Sequence, residues 1–322
     1  WGAHFMSWLE VIHPGVQSSV QDSGRRGYRH HGLAAGGALD LISFTWANKL
    51  LDNPRHAGCL EIMLGGFRAI AHGSLRIAIT GARTSVTVNG EPVEMWRTLN
   101  LNDGDELAIS HSAHNRLIYL AVAGGLDSPQ QFGSRTVVVR EKLEGRGPIK
   151  AGDKLVLREP QRKVPSREVP AHQRPDFSSE VVLGLIPGYQ YTQFQRSDIL
   201  RLTTSGYTVS DQSDRMGFRL QGEALDCPPP GIISEGIAHG SVQIPGDGQP
   251  IVLLNDGQTI GGYPKPGVVP ILDCSRLAQQ LPGDRVRFEL CDLATAQNQR
   301  RLFELHYQNT RWCQNGQALE WL

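Results

Sequence analysis

The sequence has few cysteines, no excess of either charge and no long apolar run. Its 322 residues include 32 basic and 32 acidic side chains. That balance argues against a nucleic-acid-binding protein, which usually carries a basic surplus. Five cysteines without a C-x-x-C pair exclude a zinc ribbon and indicate a reducing compartment. The longest apolar stretch, 117–126, is too short to span a bilayer. We therefore expect a soluble, cytoplasmic protein.

Several catalytic and cofactor motifs are also missing. No Gly-Lys dipeptide occurs, so a Walker-type phosphate loop is excluded, and neither H-E-x-x-H nor G-x-S-x-G is present. No G-x-G-x-x-G joins a strand to a helix, which argues against a Rossmann cofactor site. None of the six lysines has the Ala-Met-Lys-Met context of a biotinylation site. We interpret His30-His31 as a solvated or a hydrogen-bonding pair and predict no metal site.

Glycine, in contrast, is abundant, and short apolar runs alternate with turn residues. The 36 glycines exceed the usual share of about 7%. Strands are predicted at 59–64, 75–80, 85–88, 107–110, 117–122 and 251–254. Asn89-Gly90 predicts a tight hairpin. Helices are few, and are predicted at 39–51, at 275–280 with Asp273 or Ser275 as cap, and at 293–307 with Asp292 as cap.

A polar, proline-rich stretch divides the chain into two β-rich halves. We predict a β-barrel-like domain over 6–157, a linker or crossing loop over 158–180, and a second β-barrel-like domain with a C-terminal helix over 181–322. A Gly-Asp turn that feeds an alternating strand occurs three times, at Asp105, Asp153 and Asp284. This repetition indicates either a common turn used three times or an old duplication of a barrel unit.

Four segments combine polar side chains with glycine: 20–28, 209–220, 234–245 and 255–265. The last follows a predicted strand and is the most informative. Gln258 can donate to and accept from an amide or ureido ligand, and Lys265 suits an oxyanion or a phosphate. Gly261-Gly262 lets the backbone approach a ligand closely, and Tyr263 offers a stacking face and a hydroxyl. The alternative is a tight glycine hairpin with incidental polar residues.

Three further charged residues leave two interpretations open. Asp214 and Arg215 form either a structural ion-pair network or a proton acceptor beside a guanidinium that holds an anion. Glu235, between Ser234 and Gly236, is either a buried base or a turn residue.

Five ordered motifs resemble one family, that of allophanate hydrolase subunit 2, also described as biotin-dependent carboxyltransferase proteins. It includes the C subunit of prokaryotic 5-oxoprolinase, the carboxyltransferase region of urea carboxylase, and an antagonist of a sporulation-kinase inhibitor. The motifs are Val20-Gln21-Asp22-Ser23-Gly24-Arg25, the stretch from Gln212 to Leu220, Ser234-Glu235-Gly236, Gln243-Ile244-Pro245, and the stretch from Gln258 to Lys265. Ile260 departs from the usual threonine of the last motif, and Pro266-Gly267 departs from the residues that usually follow it.

The resemblance implies two cyclophilin-like β-barrels in one chain and a subunit of an ATP-dependent 5-oxoprolinase, which converts 5-oxo-L-proline to L-glutamate. It implies two partners, an allophanate hydrolase subunit 1-like protein and a third subunit, with ATP shared among them. The alternatives are biotin-dependent carboxyl transfer to urea or a related amide, with biotin on a separate carrier, and a non-enzymatic antagonist that binds a kinase inhibitor.

Under the first hypothesis, the site needs donors for a developing oxygen charge and carboxylates that move protons. The predicted donors are Lys265, Arg215 and Gln258, and the predicted proton acceptors are Asp256, Asp214 and Glu235. Further substrate-binding residues are predicted at Tyr263, Pro264, Gly261, Gly262 and Gln212, with Gln21, Asp22 and Arg25 contributed by the other barrel.

Overall fold

The computed structural model describes residues 7–143, 145, 147–158, 163–177, 180–226, 232–314 and 317–318. The chain divides between Asp176 and Phe177 into two compact units with two exchanged segments. Unit 1 holds the chain up to Arg25, Gly36–Asp176 and the segment from Thr310 onward, and unit 2 holds Arg26–Ala35 and Phe177–Asn309. The division falls inside the predicted linker, whereas nothing in the sequence indicates the two exchanges.

The described part of unit 1 is built from antiparallel strands and one α-helix. Its elements are β1 (Trp8–Pro14), β2 (Gln17–Gln21), α1 (Leu41–Leu50), β3 (Cys59–Met63), β4 (Phe67–His72), β5 (Leu75–Gly81), β6 (Val86–Val88), β7 (Glu91–Val93), β8 (Thr98–Leu101), β9 (Glu106–Ile109), β10 (Leu117–Val122), β11 (Lys154–Val156), and the pair β21 (Cys313–Gln314) and β22 (Gln317–Ala318). One sheet has the order β11-β1-β4-β9-β6-β7, and the other has the order β2-β3-β10-β5-β8.

The two larger sheets of unit 1 share one apolar core. Side chains of both sheets, including Val11, Phe67, Ile79 and Leu120, are fully buried in a single cluster. α1 lies on the other face of the five-stranded sheet, where Phe44 meets Tyr119 edge to face at 6.2 Å. All six residues of β10 are therefore buried, which explains its nearly continuous apolar sequence.

The described second half of the predicted linker is ordered along unit 1. The Thr98 amide donates to the Arg167 carbonyl at 2.9 Å, and the Val169 amide donates to the Trp96 carbonyl at 2.9 Å. Val169 itself is fully buried. This part of the chain thus pairs in antiparallel fashion with residues 96–98, at the start of β8.

Unit 2 is a closed barrel with helices outside it. Its elements are β12 (Val181–Pro187), α2 (Arg196–Thr204), β13 (Gly206–Val209), β14 (Gly217–Gln221), β15 (Glu235–Gly236), β16 (Ser241–Gln243), β17 (Ile251–Leu253), β18 (Ile260–Gly261), β19 (Gly267–Val268), α3 (Ile271–Ala278), β20 (Arg285–Leu290) and α4 (Leu293–Gln308). The barrel order is β12-β19-β16-β17-β14-β13-β20, closed by the parallel pair β12 and β20. β15 and β18 form a separate two-stranded ribbon.

The predicted mainly-β class with a few short helices is confirmed. Unit 2 supplies one closed barrel, and the two sheets around one core in unit 1 are consistent with a second barrel-like body. The six predicted strands, α1 and α4 are all present, and Asp292 caps α4 by accepting from the Thr295 amide at 2.6 Å. None of the described helices combines the length and the apolar character that crossing a membrane requires.

The start of α3 was predicted wrongly, and α2 was not predicted. α3 begins at Ile271, directly after Pro270, and no side chain caps it. Asp273 instead accepts from the Gly184 amide at 2.9 Å, and the Ser275 hydroxyl donates to the Ile271 carbonyl at 3.1 Å. A tertiary contact therefore takes the carboxylate that the sequence pattern assigned to a cap.

The three Gly-Asp turns adopt one geometry. Each aspartate accepts from the backbone amide three residues earlier: Asp105 from Asn102 at 2.6 Å, Asp153 from Lys150 at 2.8 Å, and Asp284 from Leu281 at 2.7 Å. The glycine before each aspartate has φ between 84° and 94°, which a side chain disfavours. The predicted turn is confirmed in both units. The predicted hairpin is also confirmed, with Asn89 and Gly90 at positive φ between β6 and β7.

Candidate functional site

Three of the four polar segments meet in unit 2, around the loop 254–266 that follows β17. The Asp256 amide donates to the Arg215 carbonyl at 3.0 Å, which joins this loop to the second segment. The Ile237 amide donates to the Thr259 carbonyl at 3.0 Å, which joins it to the third. Pairing of Glu235 with Gly261 in the β15–β18 ribbon adds a second contact to the third segment. These backbone bonds bring side chains from distant parts of the sequence together.

Lys265 and Glu235 form the charged pair of this cluster. Lys265 is 8% exposed, and its Nζ is ion-paired with Glu235 Oε1 and lies 3.4 Å from the Tyr263 carbonyl. The Lys265 amide donates to Oε1 of the buried Gln190 at 2.8 Å, which fixes the backbone beneath the ammonium. A shielded ammonium beside a partly exposed carboxylate can stabilise an oxyanion and can move a proton.

Gln258 lies beside a second glutamine, Gln243, at the end of β16. Gln258 Nε2 donates to Gln243 Oε1 at 3.4 Å, and Gln243 is 1% exposed. A Cβ atom at Gly261 would lie 3.0 Å from Gln243 Nε2 and 2.6 Å from Ile237 Cδ1. A side chain at position 261 would therefore push against the Gln243 amide and the end of the Ile237 side chain.

Arg215 and Asp256 form a buried, bidentate ion pair. Nε donates to Oδ2 at 2.9 Å and Nη2 to Oδ1 at 3.1 Å, and both residues are less than a tenth exposed. Each charge thus compensates the other, which fixes the loop 254–258 against the turn before β14. The direct roles in catalysis predicted for these two residues stay predictions.

The remaining predicted residues of unit 2 are more exposed, except Pro264. Asp214 is exposed, and its Oδ1 accepts from the amides of Met216 at 2.8 Å and Gly217 at 3.3 Å. Gln212 is exposed in the same turn, and Tyr263 is 48% exposed next to the buried Pro264. As folded, Asp214 stabilises a turn.

The fourth polar segment is divided between the units: residues 20–25 lie in unit 1, where Gln21, Asp22 and Arg25 are all buried, and residues 26–28 belong to unit 2. Asp22 accepts from the Gly24 amide at 2.8 Å, the Ser134 hydroxyl at 2.6 Å and the Arg135 amide at 2.6 Å. Gln21 Nε2 donates to the Val137 carbonyl at 2.9 Å, and Arg25 Nη1 donates to Glu141 at 2.5 Å. Their contribution to a pocket with the C-terminal half stays a prediction.

The sequence interpretation missed Arg29, His239 and Gln190. Arg29, in the exchanged segment of unit 2, donates to the carbonyls of Ile237 at 2.7 Å and Gln258 at 3.1 Å. His239 Nε2 lies 2.9 Å from Asn255 Oδ1. Burial lowers the pKa of His239, against the hydrogen bond with Asn255, and the Arg29 charge lowers it further. No local pattern in the sequence connects Arg29 with Gln258.

Comparison with known proteins identifies the family. Residues 31–290 match the family described as carboxyltransferase domain, subdomain A and B. The chain is 35% identical to the C subunit of 5-oxoprolinase from Escherichia coli over 94% of this chain and 100% of that protein, and 30% identical to the protein of the same name from Haemophilus influenzae over 94% and 97%. The structure of Kluyveromyces lactis urea carboxylase is similar with a TM-score of 0.88 and 26% identity, over 98% of this chain and 30% of that one.

This chain therefore belongs to the carboxyltransferase domain A and B family. The predicted family resemblance is confirmed. The matched range contains all three segments that meet in unit 2, so the cluster around Lys265 lies within the family domain.

Proposed function

We propose that this chain is a subunit of an ATP-dependent 5-oxoprolinase, which opens 5-oxo-L-proline to L-glutamate together with partner subunits in the cytoplasm. The observation that carries the proposal is the match over nearly the whole length of two proteins that bear the name of the 5-oxoprolinase C subunit. The urea amidolyases match this chain over only 16–17% of their length, so most of those enzymes has no counterpart here.

The cluster around Lys265 supplies groups that lactam opening requires. A lactam resists hydrolysis because its nitrogen lone pair is delocalised into the carbonyl. The Lys265 ammonium stabilises the charge that develops on the carbonyl oxygen, and Gln258 offers an amide for the ring N–H and C=O. Glu235, ion-paired with Lys265 and 31% exposed at its side chain, accepts or returns a proton. ATP is the co-substrate that activates the carbonyl by phosphorylation.

We place ATP binding with the assembled enzyme, because the sequence has no Walker-type loop. The expected partners are a subunit 1-like protein of the allophanate hydrolase family and a third 5-oxoprolinase subunit. The relatives are themselves named as a subunit of 5-oxoprolinase, which is consistent with such an assembly.

Glutamate release from 5-oxoproline and ATP tests the proposal. The chain is co-expressed with its two partner subunits, and a preparation without this chain is the control. We expect glutamate only when the chain is present. Lys265→Ala should reduce turnover about a hundredfold or more in a complex that still assembles. Lys150→Ala, which removes an exposed lysine of unit 1, should leave turnover unchanged. An assembled complex that releases no glutamate refutes the proposal.

Biotin-dependent carboxyl transfer is the second candidate, favoured by the family description and by the likeness to urea carboxylase. Gln243 and Gln258 would then face the ureido ring of carboxybiotin, which a separate carrier would supply. Transfer of labelled carboxyl from free carboxybiotin to urea or a related amide is the distinguishing assay. Incorporation in the absence of glutamate formation would favour this candidate.

A further inference from the structure

Gln243 carries a buried amide nitrogen that is not satisfied within the described part of the chain. The residue is 1% exposed, and its Nε2 has no hydrogen-bond partner among the described residues. Its Oε1 accepts from Gln258 Nε2 at 3.4 Å, a long hydrogen bond. Leaving such a donor unpaired forfeits its hydration without compensation, so buried amide groups normally have partners. The barrel keeps Gln243 at this cost although an apolar side chain would fill the position.

The unpaired nitrogen lies beneath a glycine of the β15–β18 ribbon. A Cβ atom at Gly261 would lie 3.0 Å from Gln243 Nε2, a tighter contact than nearly all real Cβ atoms make. Gly261 pairs with Glu235, whose carboxylate holds the Lys265 ammonium. Gln243 therefore belongs to the same cluster as Lys265, although its backbone lies in the barrel wall on β16.

The partner amide is held in place through its backbone. Arg29 Nη2 donates to the backbone carbonyl of Gln258 at 3.1 Å and to that of Ile237 at 2.7 Å. One guanidinium thus fixes the backbone of Gln258 and that of Ile237, the residue whose side chain lies beside Gly261. Because Gln258 Nε2 donates to Gln243 Oε1, the other atoms of the two carboxamides are a donor, Gln243 Nε2, and an acceptor, Gln258 Oε1.

We propose that Gln243 is a specificity-determining residue that, together with Gln258, binds the edge of a cis-amide. Gln243 Nε2 donates to the ligand carbonyl oxygen, and Gln258 Oε1 accepts from the ligand N–H. Small lactams and cyclic ureas hold N–H and C=O on one edge in this way, whereas open-chain secondary amides hold them on opposite sides. This inference rests on the proposed function, because it assumes that the cluster around Lys265 is the substrate site.

The test compares Gln243→Leu and Gln243→Met with the matched variant Gln221→Leu, which replaces an exposed glutamine on β14 of the same barrel. In the assembled enzyme, we expect the Gln243 variants to raise KM for 5-oxoproline about tenfold, which corresponds to one lost hydrogen bond. We expect the Gln221 variant to keep the wild-type KM. The melting temperatures of the Gln243 variants should equal or exceed that of the wild type, because the unpaired amide is removed. If Gln243 had only a structural role, its replacement would lower the melting temperature and leave KM unchanged.

A binding measurement separates this inference from the proposed function. Binding of 2-pyrrolidinone, 2-imidazolidinone and N-methyl-2-pyrrolidinone to the full chain is followed by ligand-observed NMR. We expect the first two probes to bind and the N-methyl lactam, which lacks the N–H, to bind about tenfold more weakly. Selective binding that depends on Gln243 supports the inference even if the complex releases no glutamate. If well-folded Gln243 variants release glutamate with an unchanged KM for 5-oxoproline, the inference is overturned and the proposed function is not. The inference is also overturned if all three probes bind, and bind the wild type and the Gln243 variants equally well.

Discussion

The ion pairs of this chain differ in how deeply they are buried. Asp256 and Arg215 are buried and joined by two hydrogen bonds, whereas Arg68 and Glu106 form a similar pair that is about half exposed. Asp256→Asn leaves the Arg215 charge without its partner carboxylate, so we expect a loss of about 3–5 kcal/mol in the free energy of unfolding. Glu106→Gln should cost about 1 kcal/mol or less. Urea unfolding of the two variants measures the difference, and equal losses would contradict this account of the buried pair.

Lys49 has a pKa well below the ordinary value of a lysine. Its Nζ lies 5.7 Å from the ring centroids of both Trp46 and Trp312. Burial, followed by the charges of Arg55 and Arg167, lowers the pKa of Lys49 to about 8, although Asp52 raises it. We therefore expect acetic anhydride at pH 8 to modify Lys49 before the exposed Lys150, as peptide mass spectrometry would show. Preferential acetylation of Lys150 would contradict the lowered pKa.

The same pKa gives a defined pH dependence of stability. The folded-state pKa of Lys49 lies below its ordinary value of 10.5, so the unfolded chain binds more protons between about pH 8 and 10.5. Below this window, Lys49 is charged in both states, and its burial near Arg55 and Arg167 lowers the free energy of unfolding by the full amount. The contribution of Lys49 to stability should thus increase as the pH rises through the window. Urea unfolding of the wild type and Lys49→Met should show this slope in the wild type only.

Helices and turns depend on a few backbone contacts at their ends. Asp40, which is fully buried, caps α1 by accepting from the amides of Ile42 at 2.9 Å and Ser43 at 3.1 Å. Asp40→Ala should lower the free energy of unfolding by about 2 kcal/mol, the upper end for a lost cap. Asp292→Ala, at the exposed start of α4, is the comparison. Thermal unfolding of both variants should show a smaller loss of stability for Asp292→Ala than for Asp40→Ala. A larger effect at Asp292 would show that burial does not strengthen the α1 cap.

Elements defined by local contacts were predictable from the sequence, and those defined by distant contacts were not. The hairpin at Asn89-Gly90 and the three Gly-Asp turns depend on bonds within four residues, so their motifs specify them. The start of α3 was missed because Asp273 binds Gly184, a residue far away in the sequence. Within the site, composition pointed to Gln258 and Lys265. Composition could not show that Asp214 lies in an exposed turn whereas Gln243 is buried in the barrel wall.

The whole chain is not two consecutive domains, because each unit contains a segment from the other side of the division. Separately expressed residues 1–176 and 177–322 each lack a segment that their unit needs. We expect each fragment alone to show no cooperative thermal unfolding, and the two co-expressed fragments to purify together. A protease site inserted after Asp176 in the full chain provides the control, since cleavage after folding should leave the halves associated. Two fragments that each unfold cooperatively alone would contradict this expectation.

The exchange also has a consequence for the order of synthesis. Residues 26–35 leave the ribosome long before their unit, which begins at Phe177, about 140 residues later. At the usual elongation rate of about 5–20 residues per second, roughly 7 to 28 seconds pass before the rest of its unit begins to emerge. Unit 1 in turn lacks its last segment until translation has passed Thr310. The nascent chain therefore has no complete unit to release early, and chaperones that bind exposed segments have a long interval in which to act on it.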